Sequence, residues 1–203
     1  QIVSVGISYQ MHGLVLIDKK GNTINKSIIW CDSRATKIGD NIFSEIGYEK
    51  SMSHLLNSPG NFTLSKLIWI KKNKPEIYEK IDKVLLPGDY ISYKLSGEIN
   101  TTITGLSEGV FWDFKKNDVA YWLLEDLDIS KTLIPSLVEN FSYQSHVSKE
   151  ASNETGLPIG IHINYKAGDQ PNNAFTLGVT KQGQIATTAG TSDVIYALTD
   201  NLN

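Results

Sequence analysis

The chain has 203 residues, of which 40% are hydrophobic and 20% charged, and its formal net charge is −3 at pH 7. This composition predicts a globular protein with a sizeable core, and the slight negative charge argues against nucleic-acid or membrane partners. A single cysteine, Cys31, excludes an intrachain disulfide and fits a reducing compartment, so we expect a cytoplasmic protein.

Strand and helix patterns alternate along the first half of the chain. Residues 2–8, "IVSVGIS", are β-branched and apolar enough for a buried strand, and "YQMHG" follows as a loop. The segment "LVLIDKKGNTINKSIIW" is typical of a hairpin around a glycine-containing turn. Helices are predicted at 32–47, at 61–73 with apolar positions 64, 67, 68 and 70, and at 75–81.

The second half continues the alternation. A strand at "KVLLP" precedes a helix, "GDYISYKLSG", that we expect to end at Gly97 in a left-handed conformation. A further helix is predicted in "VAYWLLEDL", and strands in "HINYKAG", "QIATTAG" and "DVIYALT". Alternating strands and helices predict an α/β protein whose polar loops, at the strand ends, bind ligands.

Asp169 is the first candidate for catalysis. It follows the strand "HINYKAG", where we expect a polar loop to begin, and Gln170 and Asn172 come next. A carboxylate in such a loop could accept the proton of a polyol hydroxyl as that hydroxyl attacks an electrophile. The alternative is an ordinary Asx-type turn in which Pro171 fixes the backbone.

Two other loops offer polar side chains. In "QMHG", His12 follows a strand; the histidines show no metal-ligand spacing, so we predict no metal site formed by side chains. In "WCDSR", Trp30 could form an apolar wall while Asp32 and Arg34 hold hydroxyl groups. The alternatives are a structural histidine, a helix cap at Asp32 and a surface ion pair of Arg34. We expect the Cys31 thiol to be a buried bystander.

The turn "TAGTS" includes Gly190, Thr191 and Ser192. Backbone N–H groups in such a turn can approach phosphate oxygens, and the hydroxyl groups add donors. A tight hairpin turn needs the same residue types, and the sequence has no Walker motif. Together, the loops suggest a polyol pocket, one base and half of a phosphate site.

The ordered segments "GISYQMHGLVLIDKKG", "SIIWCDSRA", "LSKLIWIKKNKPEIY", "LLPGDYISYKLSGE", "KAGDQPNNA" and "TTAGTSDVIYALTD" resemble the FGGY carbohydrate kinases. The similarity is greatest to the xylulokinases of that family, which pair "QMHG" with a "GAGDQ"-like loop and a "GTS" turn. The resemblance extends from residue 1 to residue 203, and the ordered set is far more specific than any one motif.

The resemblance implies a ribonuclease-H-like, actin-like ATPase fold of two domains. Residues 1–180 would be the sugar-binding domain, truncated at its start, and 181–203 the first strands of the nucleotide-binding domain. The implied reaction is ATP-dependent, Mg²⁺-assisted phosphorylation of D-xylulose to D-xylulose 5-phosphate. The implied site comprises the base Asp169, the sugar-binding residues Met11, His12, Trp30, Asp32, Arg34, Gln170 and Asn172, and the phosphate-binding residues Gly190, Thr191 and Ser192.

The sequence also departs from the family pattern. The family's N-terminal phosphate loop and most of its nucleotide domain have no counterpart, so we expect an internal piece of a longer kinase that does not complete catalysis alone. Asn61 occupies the first position of the signature that Lys66 and Trp69 otherwise match. A homodimer of the longer protein is a further expectation.

Several alternatives to a xylulokinase remain open at this stage. The chain could act on gluconate, ribulose or a deoxy-sugar, could be a non-catalytic carbohydrate-binding protein, or could be an actin-like structural protein.

Overall fold

The computed structural model describes residues 2–190 and 193–201, and the predicted mixture of α-helices and β-strands is confirmed. The strands are β1 (Ser4–Tyr9), β2 (Val15–Ile17), β3 (Lys83–Leu85), β4 (Asn100–Thr102), β5 (Trp112–Asp113), β6 (Asp118–Val119), β7 (Ser136–Val138), β8 (Ser145–His146), β9 (His162–Gly168), β10 (Ile185–Thr188) and β11 (Val194–Ala197). The helices are α1 (Thr36–Ile46), α2 (Tyr48–Leu55), α3 (Thr63–Asn73), α4 (Pro75–Tyr78), α5 (Pro87–Ser96), α6 (Ile103–Glu108), α7 (Tyr121–Asp126), α8 (Lys149–Thr155) and α9 (Asp169–Thr176). Short 3₁₀ helices lie at Ser33–Ala35 and Lys131–Leu133.

A three-stranded sheet in the order β1-β9-β8 organises the fold. β1 and β9 run parallel, and their register pairs Ser8 with Ala167 and Tyr9 with Gly168. Both strands therefore end at the same edge of the sheet. The loop after β1 and the start of α9 leave that edge side by side.

The main hydrophobic core packs against α3. The predicted apolar positions Leu64, Leu67, Ile68 and Ile70 are all buried, in a core cluster that also contains Leu16 of β2 and the apolar segment around Phe111. Burying a side chain of this size stabilises the fold by about 1.5–3 kcal/mol. The helix prediction for 61–73 is confirmed apart from its first two residues.

The predicted hairpin forms through two isolated antiparallel bridges, Leu14 with Ile28 and Ile17 with Thr23, around the turn at Gly21, and a longer-range pairing is added to it. β2 pairs antiparallel with β3, and the segment 23–30 contributes only bridges through Thr23 and Ile28. All three residues of β2 are buried, and the strand pairs both with the distant β3 and, through the Ile17–Thr23 bridge, with the segment that follows it in sequence.

Two helix predictions need adjustment. The segment 32–47 begins as a 3₁₀ helix and continues as α1, and the segment 75–81 forms only the four-residue α4. The predicted left-handed end at Gly97 is confirmed, with φ of +80°. Within 2–190 and 193–201, no helix is both long enough and apolar enough to cross a membrane.

A buried ion pair ties β9 to its neighbours. Lys166 and Asp89 are 0% and 2% exposed, and Lys166 Nζ lies 3.1 Å from Asp89 Oδ1. The same ammonium donates to the carbonyl oxygen of Asn100 at 3.0 Å and to its Oδ1 at 2.5 Å. Burial raises the pKa of Asp89, and the Lys166 charge opposes that shift. The pair therefore links β9 to α5 and β4.

Replacing Lys166 by Met is expected to lower the free energy of unfolding by about 3–5 kcal/mol, because it leaves the Asp89 carboxylate buried without its partner. Denaturant unfolding monitored by circular dichroism measures this change. Lys131→Met is the control, since Lys131 pairs with Glu125 at 2.6 Å in an exposed ion pair, and the expected loss is at most about 1 kcal/mol. Equal losses in the two variants would contradict this role.

Candidate active site

A cavity of about 300 Å³ opens where β1 and β9 end. Because Tyr9 and Gly168 are paired, the residues that follow them emerge together. The cavity brings together most of the sugar-site residues that the sequence predicts, and Gln10 and Val194 complete its wall. Its lining consists of Gln10, Met11, His12, Trp30, Asp169, Gln170 and Val194.

Gly168 allows the two chain segments to approach. A Cβ atom at this position would lie 2.4 Å from Met11 Cγ and 2.7 Å from Glu108 Oε2. Both distances are shorter than non-bonded atoms tolerate, so any larger residue would push the loop away from α9. The glycine before Asp169 therefore leaves room for the side chains of Met11 and Glu108.

Asp169 is the first residue of α9, so the prediction of a polar loop at this point was wrong. Proline is well tolerated in the first turn of a helix, where Pro171 lies, and an acidic residue there is favoured by the helix dipole. Gln170 Nε2 donates to Asp169 Oδ2 at 3.3 Å. The carboxylate is half-buried at the cavity wall, where its remaining lone pairs can accept hydrogen bonds.

His12 is held from several sides in a left-handed backbone conformation, with φ of +61°. Lys66 Nζ donates to its carbonyl oxygen at 2.7 Å, and its backbone N–H donates to Glu108 Oε1 at 3.4 Å. The ring Nδ1 lies 3.0 Å from the Glu108 carbonyl oxygen, and the ring packs edge-on against Phe62. Since a carbonyl can only accept, Nδ1 carries the proton and Nε2 is left as an acceptor.

Electrostatics keep the His12 ring neutral. Burial lowers the pKa of His12, the Lys66 charge lowers it further, and these effects outweigh the hydrogen bond to Glu108. A neutral imidazole with a protonated Nδ1 can accept a hydrogen bond from a ligand hydroxyl through Nε2. His12 can therefore recognise a polyol.

Lys66 and Glu108 are the structural partners that sequence reasoning missed. Lys66 is fully buried, and burial lowers its pKa to about 8. Glu108 is 9% exposed, and burial raises the pKa of its carboxyl well above the usual 4.5, assisted by the charges of Asp89 and Asp169. The only sequence signal for Lys66 is its position in the family signature. Glu108 has no such signal, because it follows "GLS" at the end of a short helix that the sequence did not predict.

A second cavity, of about 610 Å³, is also lined by Met11 and His12. Its polar lining comes from Asn57, Thr104, Ser107 and Glu108, and its apolar lining includes Phe62 and Phe114. The residues that line the two cavities include no lysine or arginine in the described part of the chain. The described walls of the two cavities therefore carry hydroxyl, amide and carboxyl groups but no lysine or arginine side chain.

Asp32 and Arg34 adopt the alternative to a sugar-binding role: Asp32 caps a turn and forms a surface ion pair with Arg34. Asp32 accepts from the Arg34 backbone N–H, and its carboxylate lies 2.6 Å from the Arg34 guanidinium, which holds the pKa of Asp32 low. The guanidinium also stacks on Trp69. Neither residue lines either cavity, and Asn172 on α9 does not line them either.

Cys31 is exposed, so the prediction of a buried thiol was wrong. It lies in the irregular segment between Trp30 and the 3₁₀ helix, and this segment packs against the loop through Gln10, whose Oε1 accepts from Trp30 N–H at 3.1 Å. The hydrogen bond from the Trp30 backbone holds this segment in place, and the Cys31 side chain is exposed to solvent.

The predicted turn after β10 joins two antiparallel strands, in which Thr188 pairs with Val194. The Gly190 N–H donates to Asp193 Oδ1 at 3.2 Å. The predicted phosphate-binding residues Thr191 and Ser192 lie outside the described residues. The phosphate-binding role of the turn stays a prediction.

The FGGY family of carbohydrate kinases, N-terminal domain, matches residues 1–176. The chain belongs to this family. It is 28% identical over 198 residues to a xylulose kinase of Staphylococcus xylosus, an alignment that covers 97% of this chain and 41% of the relative. The chain thus spans about two fifths of the length of such relatives.

Solved structures give the same fold. A xylulose kinase from Rhodospirillum rubrum superposes with a TM-score of 0.89 at 25% identity, covering 96% of this chain and 40% of that one. A gluconate kinase from Lactobacillus acidophilus has a TM-score of 0.87 at 22% identity, with the same coverage, and this likeness concerns the fold alone. The predicted ribonuclease-H-like, actin-like ATPase fold is confirmed.

Replacing Glu108 by Gln tests the buried carboxyl. Its pKa is raised in the folded state, so folding retains a proton that the unfolded chain releases above about pH 4.5. The stability contributed by that proton is present at low pH and is lost as the pH rises through the raised pKa. Denaturant unfolding at pH 5 and pH 8 should show Glu108→Gln gaining stability relative to the wild type at the higher pH.

The exposed Glu45 on α1 provides the control for this comparison. Glu45→Gln should follow the pH profile of the wild type. Parallel profiles of the wild type and Glu108→Gln would show that the Glu108 carboxyl is not protonated by the fold.

Proposed function

We propose that this chain is the sugar-binding part of an ATP-dependent kinase that phosphorylates D-xylulose at its terminal hydroxyl. The observation that carries the proposal is the convergence of Asp169 and Gln170 with Met11 and His12 in one cavity. The identity to a protein named xylulose kinase, over nearly the whole of this chain, supports the choice of substrate. The product would be D-xylulose 5-phosphate.

In the proposed reaction, Asp169 accepts the proton of the sugar hydroxyl as its oxygen attacks the γ-phosphorus of ATP. The new O–P bond forms while the bond from that phosphorus to the β–γ bridging oxygen breaks, and ADP leaves with the electron pair. Phosphoryl transfer depends mainly on positioning and charge stabilisation. His12 Nε2 and the Gln170 amide would orient the sugar, each through a further hydroxyl group.

The charges of the site support an uncharged acceptor. Asp169 contributes a carboxylate to the wall of the smaller cavity, and the buried Lys66 ammonium donates to the backbone of His12. A sugar acid such as gluconate would add a second carboxylate to the site, and no lysine or arginine of the described lining would pair with it. Neutral ketoses such as D-xylulose and D-ribulose are therefore favoured over gluconate.

ATP would reach the sugar from the second domain, which we propose begins near residue 181 and follows a first domain of residues 1–180. Gly190, Thr191 and Ser192 would meet the phosphates. Within the described residues, no group of three or more His, Cys, Asp or Glu side chains is placed to hold a metal ion. We propose that Mg²⁺ accompanies the nucleotide, and no step assigned to these residues depends on it.

The proposal predicts that the 203-residue chain binds D-xylulose in a calorimetric titration and shows no heat from D-gluconate. Asp169→Asn should change the D-xylulose dissociation constant by no more than about threefold, because the amide preserves shape and polarity. In the full-length kinase that contains these residues, the same variant should lower kcat by about 10²–10⁴-fold, since the base is lost.

Asp40→Asn, on the exposed surface of α1, serves as the matched control and should alter neither quantity. Turnover unchanged in Asp169→Asn would contradict the assigned base. Preferential binding of gluconate would instead replace D-xylulose as the substrate.

A further inference from the structure

Lys66 is buried beside the cavity without lining it. Its side chain comes from α3 and is 0% exposed, among the largest fully buried side chains of the protein. Taking an ammonium group out of water is costly unless strong hydrogen bonds replace its hydration. The Lys66 ammonium donates to the carbonyl oxygen of His12 at 2.7 Å, a length typical of a charge-assisted bond.

The acceptor of this bond is a strained residue. His12 has φ of +61°, which a residue with a side chain rarely adopts and which persists only when its surroundings enforce it. The same residue makes the contact to Lys66 through its carbonyl and the contacts to Glu108 and Phe62 through its ring, so all three depend on its backbone conformation. A hydrogen bond that holds the His12 carbonyl therefore helps to keep this backbone conformation, and with it the orientation of the ring.

We propose that Lys66 is a positioning residue that fixes the His12 peptide, and through it directs imidazole Nε2 towards the acceptor sugar. This inference rests on the proposed function for its effect on sugar binding. Lys66 holds the backbone of His12 from α3, while the Glu108 carbonyl holds the ring from the end of α6. The two contacts act on opposite ends of the same residue.

A double-mutant cycle separates positioning from general stability. Lys66→Met should weaken D-xylulose binding to the 203-residue chain by about tenfold or more, the usual range for a hydrogen bond to a charged group. In a His12→Ala background, Lys66→Met should cause little further loss, because the residue through which it acts is gone. A purely structural Lys66 would instead lower affinity equally in both backgrounds.

Lys71→Met is the matched control from the same helix. Lys71 also donates to a backbone carbonyl, that of Leu127 at 3.0 Å, but it lies on the side away from the cavity and pairs with Asp128. Its loss should leave D-xylulose affinity unchanged. A loss in Lys71→Met as large as that in Lys66→Met would overturn the proposal.

The pH dependence gives a second readout. The pKa of Lys66 is about 8, with Asp32 and Cys31 nearby, and His12 faces Lys66, Glu108 and Asp169. D-xylulose affinity should fall between pH 7 and pH 9 as the ammonium loses its charge, and Lys66→Met should abolish this fall. Cys31→Ser should preserve it, which separates Lys66 from the exposed thiol. A fall that survives in Lys66→Met would contradict the assignment.

Nitrogen-15 NMR of the His12 ring tests the same contact without a ligand. The wild type should show the tautomer protonated at Nδ1, and Lys66→Met should show a mixture of tautomers. An identical His12 spectrum in both proteins would overturn the positioning role even if D-xylulose binds. Absence of D-xylulose binding with the expected spectra would instead refute the proposed substrate and leave the positioning role in place.

Discussion

Parallel pairing of β1 with β9 is the constraint on which the candidate site depends. The register places Tyr9 opposite Gly168, so the segment that contains Met11 and His12 leaves the sheet beside the start of α9. A shift of one residue would turn every side chain of the strand to the other face of the sheet. Gly168 then lets the two segments approach closely enough to form one cavity.

Two buried lysines hold this arrangement from different directions. Lys166 lies in β9 itself and joins that strand to α5 and β4 through Asp89 and Asn100. Lys66 reaches from α3 to the backbone of His12. Buried lysines therefore hold both the strand that precedes Asp169 and the loop that carries His12.

The sequence predicts local features of the fold well, because they depend on neighbouring residues. The apolar face of α3 and the left-handed end of α5 at Gly97 follow from spacing and residue type. The β2–β3 pairing was missed because partners far apart in sequence compete with a nearby turn. The helix at Asp169 was missed because "DQPNN" is equally typical of a loop.

For the candidate site, the family motifs predicted the residues that meet in the cavity, but not what holds them in place. Lys66 and Glu108 act through atoms of His12 that only the tertiary structure brings within reach. Asp32 and Arg34 show the opposite case. Their residue types suit sugar binding, yet two residues of separation let them pair with each other.

The most direct test is a crystal structure of this chain with D-xylulose bound. We expect the terminal hydroxyl of the sugar within hydrogen-bond distance of an Asp169 carboxylate oxygen, and another hydroxyl donating to His12 Nε2. A sugar bound away from Asp169, or one with no hydroxyl group within hydrogen-bond distance of His12 Nε2, would contradict the account.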